Sequence, residues 1–199
     1  MIDGTEAVAL VGVCVAAIGY VVKYRSDLKL AQRNDRLERI NRQLSAFYGP
    51  LLSLTQSSEE SWLAFRRRYR PPGDHSFWKP DPPPTMADVI AWRLWMTTVF
   101  MPMSQRMSDL VFTHADLIEE PEMPPYLLAL GAHVAGYQAI IKEWETGAIS
   151  LHREDNISVV NFPGRELADY ATTEFGRLKA EQNALLGSTA RASTDPRRI

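Results

Sequence analysis

The feature that most constrains this chain is an uncharged apolar run, AVALVGVCVAAIGYVV, at residues 7–22. As an α-helix the run would be about 24 Å long, and its neighbours would extend it to about the 30 Å thickness of a bilayer's hydrocarbon core. Valine, alanine and glycine leave no polar stripe of the kind that a soluble surface helix carries. The run therefore predicts a transmembrane anchor over residues 1–24.

The charges around this run decide how it is processed and oriented. Asp3 and Glu6 precede it without any basic residue, whereas a secretory signal peptide begins with a basic region. An uncleaved anchor is therefore favoured over a signal peptide that is cleaved near residues 17–19. Basic residues follow the run, so the positive-inside rule places the N-terminus outside and the C-terminal domain in the cytoplasm. The predicted membrane interface consists of Lys23, Tyr24 and Arg25.

Residues 25–43 are predicted to form a basic helical stalk. Residues 23–70 contain 11 Lys or Arg against 5 Asp or Glu, and such a segment can also rest on anionic lipid. Leucines at 30, 37, 44 and 51 repeat every seven residues, although Arg33 interrupts the second seam position. Two interpretations stay open: a short coiled coil that makes a homo-oligomer through the anchor and stalk, or a helix whose later half packs on its own domain.

The stretch QLSAFYGPLLSL places Gly49-Pro50 inside an apolar stripe that has helical spacing. Pro50 has no N–H to donate to the carbonyl group of Ala46, and its ring presses on that group. We therefore expect a kink at Gly49 and Pro50, which makes this pair the predicted hinge between the stalk and the body.

Residues 44–187 are predicted to form a bundle of about five helices, which makes the chain an all-α protein. A Pro-rich loop at 71–84 separates the first helix from a second, which starts after a capping box of Thr85 and Asp88. Pro102 is expected to bend or end this second helix. The last helix is expected from about Gly164 to Gly187, and the polar residues 188–199 are expected to form a disordered tail.

A search for catalytic and cofactor motifs predicts no catalytic residue, no cofactor and no metal site. The single cysteine, Cys14, excludes an intrachain disulfide and a cysteine-based metal site. Gly131 and Gly136 have P-loop spacing, but Tyr137 and Gln138 follow where Lys and Ser or Thr are required. The basic run RRRYR lacks a recognition module and adjoins an acidic body, so nucleic acid is not an expected partner. These results favour a protein that is not an enzyme.

His133 and Tyr137 are the candidate functional or buried polar residues, because they lie one turn apart beside the apolar face of one predicted helix. A buried histidine that bonds a neighbouring helix would explain the pair without any activity. The alternative is a small-ligand sensor or enzyme whose pocket lies between helices and includes this pair with Trp92 or Trp95.

The motifs QLSAFYGPL, WRLWMTTVFMP, THADLIEEPEMP and AHVAGYQAIIKEWETG resemble a group of uncharacterised bacterial proteins with an N-terminal anchor and a helical cytoplasmic region. The resemblance implies a single-pass protein of the bacterial inner membrane, with the lipid bilayer as a partner. It implies no substrate and no catalytic residue. The leading functional hypothesis is a scaffold that binds an unidentified protein partner at the membrane.

Overall fold

The computed structural model describes residues 4–69, 77–78, 83–147 and 149–193, and the side chains of residues 4–11, 13–16 and 188–193 lie outside this description. Within the described part the regular elements are helices, and none of its residues forms a β-strand. The prediction of an all-α protein is therefore confirmed. The predicted Pro-rich loop at 71–84 lies largely outside the described residues.

The helices fall into four long runs. The sequence had predicted an anchor and a stalk followed by a bundle of about five helices. The elements, in chain order, are α1 (Gly4–Gln43), a first π turn (Leu44–Tyr48), α2 (Gly49–Tyr69), α3 (Met86–Trp95), a second π turn (Met96–Phe100), α4 (Met101–Thr113), a 3-10 turn (Ala115–Leu117), α5 (Pro125–Trp144) and α6 (Gly164–Ser193). Each π turn joins its two flanking helices without a break. The predicted count was too high because Pro102 was expected to bend or end one helix, whereas the helical run continues from Met86 to Thr113.

The same local device accommodates both prolines. The N–H of Gly49 donates to the carbonyl oxygen of Leu44, five residues earlier, and Pro50 comes next. The N–H of Met101 donates in the same way to Met96, and Pro102 comes next. In both places the one-residue bulge sits just before the residue that has no N–H, so the helical path continues past it. Pro102 was expected to bend or end the helix at Met101. The helix does not end there, so that part of the expectation is wrong.

Two compact units make up the fold: residues 42–179 form one, and the described parts of 1–41 and 180–199 form the other. In the unit that contains the termini, the guanidinium of Arg36 makes two hydrogen bonds to Glu181, of 2.7 and 2.8 Å. Arg33, which interrupts the heptad pattern, donates to the carbonyl oxygen of Leu185. The later part of the predicted stalk thus pairs with the end of α6.

The end of α6 differs from the expected one. The helix passes through Gly187 and ends at Ser193. A glycine in a helix interior weakens the helix without breaking it, which is why Gly187 was a poor stop signal. The first half of the predicted disordered tail, 188–193, is helical, and residues 194–199 lie outside the described residues.

Among the side chains that the structure describes, no helix presents an apolar stretch of the length that crossing a bilayer requires. The predicted anchor, residues 1–24, falls mostly on side chains outside that description.

An aromatic core organises the unit of residues 42–179. Phe65 of α2 is completely buried, and rings from α2, α3, the second π turn and the segment 77–78 surround it at centroid distances of 4.9 to 5.8 Å. The predicted capping box starts α3 as expected, with the Thr85 hydroxyl accepting from the Asp88 N–H and the Asp88 carboxylate accepting from the Thr85 N–H. These contacts fix the orientation of α3, which supplies part of the site described next.

Candidate ligand-binding site

A cavity of about 720 Å³ lies within the unit of residues 42–179. Its walls come from α2, the run from α3 to α4, α5, the start of α6 and the connection 149–163. The buried residues of its floor are Thr55, Ser58, Trp92, Met96, Phe100, Ser104, His133, Tyr137 and Ser158. The exposed residues of its rim are Glu59, Arg153, Asn161, Arg165 and Asp169. A buried floor below a charged rim is the usual anatomy of a small-molecule site.

The second π turn aligns one wall of the cavity. Trp92, Met96, Phe100 and Ser104 all line it and are spaced four residues apart. In an α-helix such a row drifts round the axis, because one turn takes only 3.6 residues. The wider turn at Met96–Phe100 reduces this drift and keeps the row on one face. The proline-linked bulge therefore has a direct effect on the shape of the site.

The connection 149–163 is held in place by one buried asparagine. The Asn156 amide donates to the carbonyl oxygens of Ser150 (2.9 Å) and His152 (2.7 Å), and its side-chain oxygen accepts from Arg93 (2.8 Å). The carbonyl oxygen of Asn156 accepts from the Trp92 indole at 2.8 Å. The N–H of Asn156 also donates to the carbonyl oxygen of Arg153 at 3.0 Å. Five hydrogen bonds to a residue without exposed surface make this connection a fixed wall.

His133 closes the cavity from α5. Its Nδ1 lies 2.7 Å from the carbonyl oxygen of Val160, and because a carbonyl group can only accept, Nδ1 carries the proton. Burial lowers the pKa of His133, and the smaller opposite effect of the bond to Val160 does not reverse this. The neutral ring therefore keeps Nε2 as an acceptor, and no residue in the described part of the chain donates to it.

Tyr137 lies one turn further along α5, with its ring centroid 4.9 Å from that of His133 and the two planes at 69°. Burial raises the pKa of Tyr137, against smaller lowering effects of a backbone hydrogen bond from Ser158 and of the charge on Arg153. The phenol is therefore neutral at physiological pH. It offers the cavity a hydroxyl group instead of a charge.

Two serines on the floor have hydroxyl groups without a partner among the described residues. Ser58 is 9% exposed and Ser104 is 4% exposed, and both line the cavity. Thr55, by contrast, donates to the carbonyl oxygen of Leu52 at 2.9 Å. Neither serine oxygen is among the fully buried atoms without a partner, so both hydroxyl groups are accessible from the cavity and a bound molecule can bond to them.

The rim carries two negative and two positive side chains. Glu59 and Asp169 face a cavity that is also lined by Arg153 and Arg165, and none of the four forms an ion pair with a described residue. With His133 neutral, the formal charges of the lining sum to zero. Within the same described ranges, no three His, Cys, Asp or Glu side chains meet as metal ligands.

The structure brings together the two residues that the sequence singled out. His133, Tyr137 and Trp92 share the cavity, whereas Trp95 packs in the core against Phe65 and Phe100. The other marked residues lie elsewhere: Gly49 and Pro50 begin α2, and the predicted interface residues Lys23, Tyr24 and Arg25 are exposed on α1.

Sequence reasoning missed the polar face of α2. Thr55, Ser58 and Glu59 recur at helical spacing and all line the cavity. A polar stripe that runs beside the apolar stripe of the same helix was the signal that could have found them.

Comparisons of the chain with family models, with curated proteins and with solved structures give no match. The bacterial group that the sequence resembles therefore stays a prediction, and the geometry of the cavity carries the functional argument.

Proposed function

We propose that the protein binds a small organic molecule in the cavity beside His133 and Tyr137 and acts as a sensor of that molecule at a membrane. The observation that carries the proposal is a cavity lined by three polar side chains whose groups have no partner among the described residues: the hydroxyls of Ser58 and Ser104 and Nε2 of His133. A few unpaired polar groups among apolar side chains are what a small-molecule site uses to orient its ligand.

The size and lining of the cavity agree with this role. Sites for small molecules typically measure about 300–1,000 Å³ and combine apolar walls with a few polar groups. Here Trp62, Trp92, Met96 and Phe100 supply apolar surface, and the serines and His133 supply hydrogen-bonding groups. Within the described residues, no hydrogen bond joins His133 to a lining carboxylate or hydroxyl group, which favours binding over acid–base or nucleophilic catalysis.

The membrane location is the second part of the proposal. Large apolar side chains at the described end of the predicted anchor are all exposed: Ile18, Tyr20, Val21, Val22 and Tyr24. They belong to a helix that begins at Gly4, and basic residues follow them. Lipid would cover these side chains. The basic residues that follow them support an orientation with the N-terminus outside and the body in the cytoplasm, and the resemblance supports the bacterial inner membrane as the location.

Binding can be tested by placing a large side chain on the floor of the cavity. The full chain in detergent is screened against a chemically diverse panel of small molecules by thermal shift. Ser58→Phe should abolish the shift that any hit produces, because the new ring would occupy the cavity. Ser57→Phe is the matched control, since Ser57 is the exposed neighbour on the same helix. A panel without hits, or hits that Ser58→Phe still binds, would count against the proposal.

Membrane insertion can be tested by fractionation of cells that express the full chain. Alkaline extraction should leave the protein in the membrane pellet, and Val13→Arg should release it, because a charge at the centre of a span is costly. Val22→Arg, at the interface end, is the control and should stay in the pellet. Release of the unaltered protein would contradict the anchor.

Self-association is a separate candidate, which the exposed leucines of α1 favour. Leu28 and Leu30 are 45% and 52% exposed, and Leu30 occupies the predicted heptad seam. Light scattering of the full chain in detergent should show a dimer that Leu30→Gln weakens. The scaffold hypothesis, with its unidentified protein partner, stays a prediction that co-purification from native membranes would address.

A further inference from the structure

We infer that the ligand is a flat, uncharged aromatic molecule that donates an O–H or N–H hydrogen bond to Nε2 of His133. The inference rests on the proposed ligand-binding function and narrows it to a chemical class. Three properties of the cavity lead to it: the arrangement of its tryptophans, the fixed tautomer of its histidine, and the balance of charge at its rim.

The tryptophans form corners that suit a flat ring. The indoles of Trp62 and Trp92 have centroids 6.2 Å apart and planes at 81°, and those of Trp78 and Trp92 are 5.8 Å apart at 83°. At a corner of this kind a ligand ring can stack on one indole face while its edge meets another, and both are preferred aromatic geometries. A flexible aliphatic chain would not use these right angles.

Trp92, the indole shared by both corners, is held in place by contacts within the protein. The indole N–H of Trp92 donates to the carbonyl oxygen of Asn156, which is itself completely buried. Phe77 stacks against the same indole at 5.3 Å with planes at 23°. A preformed wall pays little ordering cost on binding, so it can select a ligand by shape.

The histidine sets the hydrogen-bonding character of the ligand. Because Nδ1–H is committed to Val160, Nε2 of the neutral ring can only accept. A ligand with only acceptor atoms that displaced water from Nε2 would leave this acceptor unpaired, which weakens its binding relative to a ligand that donates. The ligand therefore brings a donor to this nitrogen.

The rim argues for a ligand without net charge. The charged groups that line the cavity are Glu59 from α2, Arg153 from the connection, and Arg165 and Asp169 from α6. Their formal charges cancel, so a ligand of either sign would meet repulsion as well as attraction. A neutral molecule is the class that fits all four.

Isothermal titration of the full chain with 2-naphthol and with 2-methoxynaphthalene tests the inference. The two probes share one ring system, but only naphthol can donate. At pH 7.5 we expect naphthol to bind about tenfold more tightly, in line with one hydrogen bond to a buried group. His133→Phe should reduce the ratio to about one, because its ring fills similar space and has no acceptor.

A second measurement needs no variant and keeps the test decisive if His133→Phe does not fold. The ¹⁵N resonance of His133 Nε2 should move when naphthol is added to the labelled full chain and should stay in place with 2-methoxynaphthalene. Lowering the pH until His133 is protonated should remove the preference, since Nε2 then becomes a donor. Tyr137 and the four rim charges face the same space, so the resonance is followed at each pH to assign the titrating group.

The outcomes separate the two levels of the argument. Equal affinity for both probes in the unaltered protein would overturn the hydrogen-bond inference and leave a ligand-binding cavity in place. Failure of both probes, while other panel members bind and Ser58→Phe abolishes their binding, would overturn the aromatic class alone. Failure of every panel member would overturn the proposed function itself.

Discussion

Gly136 of α5 lies directly against Ser158 of the connection 149–163. A Cβ atom at position 136 would come well inside 3.0 Å of the Ser158 hydroxyl oxygen and 3.4 Å from its Cβ. The absence of a side chain at this position therefore lets the connection approach α5 closely. That approach brings Ser158 onto the floor of the cavity beside Tyr137.

Gly136→Ala should destabilise the protein although alanine is the better helix former. The clash with Ser158 is expected to lower the free energy of unfolding by about 1–3 kcal/mol, as overpacking usually does. Gly176→Ala is the control, because a Cβ on that exposed glycine of α6 meets nothing within 4 Å. It should raise the free energy of unfolding by about 0.5–1 kcal/mol. Urea denaturation measures both, and a stabilising Gly136→Ala would show that the connection is not held closely.

Gly49→Ala should also destabilise, for a reason specific to the first π turn. A Cβ at this position would lie 2.5 Å from the main-chain oxygen of Leu44, which accepts the bond that closes the turn. The main chain must shift to admit it, so we expect a loss of about 1–3 kcal/mol in the same denaturation experiment. The diagnostic result is that Gly49→Ala lowers the free energy of unfolding whereas Gly176→Ala raises it. A gain of stability would mean that the turn relaxes to an ordinary α-helix.

Asn156→Ala should loosen the connection that forms one wall of the cavity. The substitution removes the two hydrogen bonds donated to Ser150 and His152 and the acceptor for Arg93. Several buried groups would be left unpaired, so we expect a loss of about 2–4 kcal/mol. Tryptophan fluorescence should change as well, because the main-chain oxygen of residue 156 accepts from the Trp92 indole and would move with the loosened connection. Asn161→Ala, at the exposed rim, is the control. It should change the free energy of unfolding by less than about 0.5 kcal/mol and leave the tryptophan emission unchanged.

Acid should weaken the fold through His133. Burial lowers the pKa of this imidazole below the value near 6.5 of an unfolded chain, so the unfolded state takes up its proton first. The stability that the neutral ring contributes is complete above that value and declines as the pH falls from there through the folded-state pKa. Urea denaturation should give a smaller free energy of unfolding at pH 5.5 than at pH 7.5, and His133→Gln should reduce this difference. His152→Gln, at an exposed position, should leave the difference unchanged.

Two buried tyrosines should couple energetically. The hydroxyls of Tyr48 and Tyr170 are 3.1 Å apart, and Tyr170 donates to Glu120 at 3.3 Å. Burial raises the pKa of Tyr48 to about 12, so the pair is neutral at physiological pH. A double-mutant cycle with Tyr48→Phe and Tyr170→Phe should give a coupling of about 0.5–1.5 kcal/mol. Additive losses would show that the hydroxyls do not interact.

Local sequence signals located most of the helices. The capping box of Thr85 and Asp88 starts α3 as predicted, and α5 and α6 begin at Pro125 and Gly164, where prolines and a glycine marked the start. Such signals succeed because they act within one helical turn. The errors came at Pro102 and Gly187, where a residue that disfavours a helix was taken as its end.

The candidate site was only partly visible in the sequence. The spacing of His133 and Tyr137 marked them as a pair on one helix, but nothing local placed Ser58, Ser104 or the connection 149–163 opposite them. Those residues are separated by tens of positions along the chain, and only packing brings them to one cavity. The hydroxyl groups of Ser58 and Ser104 that lack a protein partner have no sequence signature either, because the residues packed around a hydroxyl group decide whether it finds a partner.

The sequence by itself determined the helical class, the apolar run near the N-terminus and the pair on α5, because periodicity, charge and helix caps are short-range properties. Only the tertiary structure decided how the prolines are tolerated, that Arg33 and Arg36 bond the end of α6, and that a cavity adjoins His133. The physical reason is that a long-range ion pair and a cavity depend on how distant segments pack, which a pattern of neighbouring residues does not encode. A π turn is local, but a proline in the sequence does not specify whether the helix ends, kinks or bulges.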